Sequence, residues 1–156
     1  MINNIELYLT NENIYLLANW GILPFWLMLI FAPNSSFSKI FVHSVIAPLI
    51  LSLAYILVAY KIYLEGNIFE GFNLYFGLES LYSVYSDESF LLIFWLHFLS
   101  ISLFSGAWIA RDAFKYMVPR VLMIFSLIIT YFAGPLGLFF YWFIRIFFAK
   151  KITFND

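Results

Sequence analysis

A few polar side chains interrupt long apolar stretches of this sequence, and their types set the chemistry open to it. Asn19, His97, Tyr141 and Arg145 fall inside apolar runs, while His43, Ser44, Arg111, Asp112 and Arg120 stand near run ends. A polar group in hydrocarbon is costly, so each needs a partner or a function. The imidazole of His97 can take or give a proton near neutral pH, or ligate a metal. It can equally hydrogen-bond a neighbouring helix as packing glue. Asp112 follows Arg111 at the end of an apolar run, where a helix macrodipole suits Arg111 and opposes the carboxylate. Asp112 is therefore expected to hold a cation, Arg120 and Lys115 being nearest in sequence. An interfacial salt bridge that fixes depth and a functional site are both open readings of that set. Depth along the runs sorts Asn19, His97, Tyr141 and Arg145 into one layer, if the last run crosses once. His43, Ser44, Arg111, Asp112 and Arg120 fall into the other.

The elements that carry these residues follow from composition. Of 156 residues, 64% are hydrophobic, 23% aromatic and 11% charged. Soluble domains carry about a quarter charged residues, so the chain is expected to be an integral membrane bundle, all α. A net charge of −1 leaves no basic stripe for nucleic acid. The absence of cysteine excludes disulfides, thiolate metal sites and a cysteine nucleophile. Two histidines invite a haem, but His43 and His97 are offset by roughly 10 Å along the membrane normal by helix rise. Axial ligands to one iron share a depth, so no haem, other cofactor or metal is expected. The N-terminus, MINNIELYLTNEN, lacks the basic region of a signal peptide, and the first apolar run is expected to stay in the mature protein.

Four runs are long enough to span a bilayer, which takes about 20 apolar residues. They cover residues 14–32, 37–64, 90–110 and 118–148 in one transmembrane domain, with Pro48 expected to kink the second. Residues 65–89 form an acidic, aromatic loop expected to lie at the lipid interface. The last run would reach roughly 45 Å as a straight helix, against a core of ~30 Å. Gly134-Pro135-Leu136-Gly137 breaks it near its centre. It is expected to cross once as a kinked fourth span, with two half-helices folded back as a re-entrant hairpin as the alternative. With four crossings the basic residues tie, Lys39, Arg111, Lys115 and Arg120 facing Lys61, Arg145, Lys150 and Lys151. A hairpin leaves only Lys61 on the minority side, which favours it by the positive-inside rule, yet each half is short for a crossing.

Two stripes mark the third run. Ser102, Gly106 and Ala110 recur every four residues, a small-residue face for close helix packing and a candidate homo-oligomer contact. His97, Phe104, Trp108 and Arg111 lie near another face, which would line a cavity. Trp20 and Trp108, flanked by polar neighbours, are candidates for stacking on a long apolar ligand, whereas Trp142 reads as an interfacial anchor.

Three motifs in order resemble one family. They are Asn19-Trp20-Gly21-Ile22-Leu23-Pro24-Phe25-Trp26, Trp95-Leu96-His97 and Gly106-Ala107-Trp108-Ile109-Ala110-Arg111-Asp112, followed by Pro119-Arg120 and Gly134-Pro135-Leu136-Gly137-Leu138. The pattern resembles the small four-span family typified by the plant abscisic-acid-deficient-four protein, which is needed for neoxanthin synthesis. The resemblance runs from Asn19 to about Arg145 and excludes the acidic loop. Where that family carries Asp-Leu-Phe this chain has Ser102-Leu103-Phe104, and Phe98 replaces a tyrosine.

The resemblance implies isomerisation of an epoxy-carotenoid to an allenic one without net oxidation. Such a step needs an acid at the epoxide oxygen and a base at the adjacent polyene carbon. His97 is the candidate base and Asp112 the candidate acid. Asn19, Trp20, Trp108, Arg111, Arg120 and Tyr141 are the candidate substrate contacts. A carotenoid or isoprenoid ligand among membrane lipids is expected, in a bacterial inner membrane or a plastid membrane. A non-catalytic pigment-binding or scaffold subunit is the second reading. A small transporter is the third, since broken helices mark ion and substrate sites.

Overall fold

A computed structural model of the chain describes residues 10–44 and 46–150. The N-terminal segment without a basic region lies mostly outside the described residues, as does Lys151. Among the described residues all regular structure is helical. The long helices are α1 (Asn11–Phe31), α2 (Ile46–Leu64), then, after the short α3 (Leu78–Tyr85), α4 (Glu88–Lys115) and α5 (Arg120–Ala149). α1, α2, α4 and α5 are long and apolar enough to cross a membrane. The chain is a multi-pass membrane protein.

Local chemistry explains the boundaries. Thr10 Oγ1 accepts from the Asn13 amide at 3.2 Å and starts α1. Asp87 Oδ1 accepts from the amides of Ser89 and Phe90 at 2.9 and 3.1 Å, capping α4. α4 ends in a left-handed residue, Met117 (φ 53°), with the Val118 amide bonded back to the Ala113 carbonyl at 2.8 Å. That wrap normally uses glycine; here burial of Val118 supports a methionine in its place. The expected long second span divides into a short helical turn, Ser38–Val42, and α2. Pro48 therefore falls in the first turn of α2, where its missing N–H costs nothing, and makes no kink.

By contacts the chain forms two units, the first comprising residues 1–21 and 49–99, the second 22–48 and 100–156. In the first, Ile14, Ala18, Val58, Ile62, Leu92 and Leu96 are buried, and Trp95 Nε1 donates to Asn19 Oδ1 at 3.1 Å. The acidic loop folds there as a helical turn, Ile68–Tyr75, followed by α3. It exposes Phe69, Phe72, Tyr75, Phe76 and Tyr82, side chains suited to the bilayer interface.

The second unit contains α5, and its break is a reversal. Ala133 departs from helical geometry (φ −143°, ψ 54°) just before Gly134-Pro135. A Cβ added to Gly137 would fall inside the backbone and side chain of Thr130. The rings of Phe125 and Phe140 lie 5.2 Å apart. Fifteen residues of straight helix would separate them by about 22 Å. Of the two forms open to the last run, the structure adopts the hairpin. Each limb is too short to cross ~30 Å alone. Glycine at 137 allows the limbs to touch. The hydroxyls of Ser126 and Thr130, both buried, donate to carbonyls one turn back at 2.8 and 2.7 Å, so neither is left unpaired within the hairpin.

A candidate proton-handling site at Asp112

The returning limb of α5 brings its polar face onto the end of α4. Asp112 Oδ2 accepts from Arg145 Nε and from the Tyr141 hydroxyl, each at 2.8 Å. Arg145 Nη2 donates to the Tyr116 hydroxyl at 3.3 Å, and its guanidinium stands 4.8 Å from the centre of that ring. Trp108 meets Tyr141 edge to face at 5.5 Å. Arg145 is 1% exposed and the Asp112 side chain 10%. Such a pair survives burial because charge-assisted hydrogen bonds satisfy both ions. Spacing on each helix makes it possible: Trp108 and Asp112 stand four residues apart on α4, Tyr116 follows four residues later in the turn that ends it, and Tyr141 and Arg145 stand four apart on α5.

This corrects the expected pairing of Asp112. Its cation is Arg145, not Arg120 or Lys115. Arg120 Nη2 instead donates to the Phe31 carbonyl at 2.7 Å, placing a positive charge at the C-terminus of α1. Lys115 lies over the Tyr116 ring. The layer that joined Tyr141 and Arg145 to Asn19 and His97 is also overturned. It assumed a single crossing, and the hairpin carries both residues to Asp112.

The other candidates fall as follows. Arg111 Nη1 donates to the His43 carbonyl at 3.2 Å, and His43 Nε2 bonds the Pro33 carbonyl at 2.9 Å. Ser44 Oγ donates back to the Ile40 carbonyl. These contacts fold the α1–α2 connection. Asn19 uses its amide between the Trp95 indole and the Tyr15 carbonyl, the latter at 2.8 Å, within the first unit. Trp20 is 70% exposed. His97 is exposed and belongs to the first unit, whereas Asp112 belongs to the second. Ser102, Gly106 and Ala110 are buried, and a Cβ on Gly106 would sit 2.8 Å from the Trp26 ring. That stripe is used for packing inside the chain.

The structure thus unites Trp108, Asp112 and Tyr141 from the candidate set. It adds Arg145, noted in the sequence as an intramembrane charge but given no role, and Tyr116, which sequence reasoning passed over. The four-residue spacing of Asp112 with Tyr116, and of Tyr141 with Arg145, is the signal for both.

These features define a multi-pass helical membrane protein with a re-entrant hairpin clamped by a buried carboxylate–guanidinium pair. A family profile, ABA DEFICIENT 4-like, matches residues 13–141. The chain belongs to that family, whose match covers α1 through to Tyr141. No curated protein and no solved structure gives a match.

Proposed function

We propose that this chain isomerises an epoxy-carotenoid, or a related isoprenoid lipid, without net oxidation, in a plastid or bacterial inner membrane. Family membership supports the substrate class. The observation that carries the chemistry is the hydrogen bond between Tyr141 and Asp112 beside Arg145. Asp112 Oδ2 accepts from both Tyr141 and Arg145, and on this reading it serves as the base, where the resemblance implied an acid. In the reaction, Asp112 takes the proton from the polyene carbon next to the epoxide. The C–H electron pair becomes the new C=C bond of the allene, and the epoxide C–O bond breaks toward oxygen. Tyr141 protonates that oxygen, and the proton on Asp112 returns to the tyrosine along their hydrogen bond. Atoms and electrons balance with no co-reactant. Trp108, edge-on to Tyr141, supplies an aromatic wall for a polyene.

The test is conversion of an epoxy-carotenoid by purified protein, followed by chromatography for a product of unchanged mass. Asp112→Asn and Tyr141→Phe are expected to lower turnover by about 10²-fold or more, as loss of general acid–base groups does. His97→Ala is the competing base assignment and is expected to remain active. Full turnover in Asp112→Asn would end the reading, and loss confined to His97→Ala would return the base to His97. A second reading has its own support, because both hydrogen bonds of Asp112 Oδ2 go to one limb of α5. On that reading the cluster is a clasp in a pigment-binding or scaffold subunit, and carotenoid co-purifies without conversion.

A further inference from the structure

The first unit contains a cleft that the proposed reaction does not use. It has a volume of about 510 Å³ and lies between the first turns of α1 and α4. Its floor is aromatic, with Tyr15 and Trp95 at 6.2 Å and the Trp95 indole fixed by Asn19. One wall is braced by Asn11, whose amide donates to Ser89 Oγ and accepts from Lys61 Nζ, both at 3.0 Å. Leu92 closes the back, 5% exposed, while Leu91 is half exposed and leaves the side open. Glu12 and Glu88 both line the cavity.

An acid in the first turn of a helix offsets the macrodipole, which accounts for either glutamate alone. It does not account for two carboxylates lining one cleft with an aromatic and leucine interior. Like charges at one site favour a cation between them. The Tyr15 and Trp95 rings favour the same charge. A primary ammonium adds N–H donors for the two carboxylates, which a quaternary ammonium lacks. Lys61 Nζ, bonded to Asn11 Oδ1, adds a positive charge behind that wall. The leucine side fits a hydrocarbon chain.

We propose that this cleft binds a zwitterionic phospholipid with a primary ammonium headgroup, the ammonium between Glu12 and Glu88 and a chain along Leu91, Leu92 and Trp95. The experiment is native mass spectrometry of the full chain in neutral detergent, titrated separately with phosphatidylethanolamine, phosphatidylcholine and phosphatidylglycerol. Phosphatidylethanolamine is expected to be retained at least about tenfold better than the other two, the equivalent of one charge-assisted hydrogen bond. Glu12→Gln/Glu88→Gln keeps both shapes at exposed positions and is expected to abolish the preference. Leu91→Trp fills the open side and is expected to cut retention with both carboxylates intact. Equal retention of the three lipids overturns the proposal. So does an unchanged preference in the double glutamine variant or undiminished retention in Leu91→Trp.

Discussion

Arg145→Met is the sharpest test of how the hairpin is held. Methionine fills much of the volume of the arginine stem but removes the charge from a residue that is 1% exposed. Asp112 would keep only the Tyr141 hydroxyl as donor, with its charge uncompensated in a site it shares with apolar neighbours. Removing one partner of a buried pair costs about 3–5 kcal/mol, because the remaining charge stays desolvated. Loss of the guanidinium over the Tyr116 ring adds about 0.5–2 kcal/mol. For a chain of this size the sum corresponds to a melting temperature lower by roughly 10 °C or more. Asp112→Asn takes the carboxylate from that guanidinium and is expected to destabilise as well. The double variant Arg145→Met/Asp112→Asn strands neither, and is expected to recover to within about 1–2 kcal/mol of the parent. Thermal unfolding of all four proteins in one mild detergent, followed by intrinsic fluorescence, completes the cycle. If Arg145→Met melts within about 1 kcal/mol of the parent, or the double variant is no better than the singles, the pair does not clamp the limb and the argument fails.

The hairpin makes two further predictions. Gly137→Val places side-chain atoms inside Thr130, including its backbone, which cannot swing aside. A loss above the usual 1–3 kcal/mol of overpacking is expected, against a small effect for Gly21→Val, where nothing lies within 4 Å; equal effects would place the limbs apart. The chain has no cysteine, so single cysteines report sidedness without background. Cysteines at Met117 and Lys150 are expected to react with a membrane-impermeant thiol reagent from the same side of a sealed membrane, and labelling from opposite sides would rule out the fold-back.

The position of the break in α5 was legible because it is local chemistry: Pro135 lacks an N–H, and the flanking glycines weaken the helix wherever they occur. Its angle was not, because a Gly-Pro break permits a shallow kink as readily as a reversal. What decides between them is the contact of Gly137 with Thr130, seven positions apart, which a straight helix would hold about 10 Å from each other along its axis. One unresolved angle then produced two errors. It placed Tyr141 and Arg145 in the wrong layer, and it left Asp112 to be paired with Arg120 or Lys115 by nearness in sequence. The count of basic residues already leaned toward the hairpin, and following it would have brought Arg145 to the side of Asp112. The small-residue stripe on α4 was legible as a packing face, but its partner was not. Close approach is encoded by Ser102, Gly106 and Ala110, whereas the choice between another copy and the chain's own Trp26 depends on where α1 runs. His97 illustrates the opposite limit. A lone histidine in an apolar run carries the same sequence signal whether it faces a site or the lipid. Asp112 could have been separated from it by one further requirement, that a buried charge bring its own counter-charge and donors at helical spacing. Asp112 meets that requirement through Tyr141 and Arg145 on the next helix, with Tyr116, just past the end of its own, bonded to the Arg145 guanidinium. The proposal that gives proton chemistry to the carboxylate is decided by Arg145→Met/Asp112→Asn, which is expected to recover the fold and not the turnover.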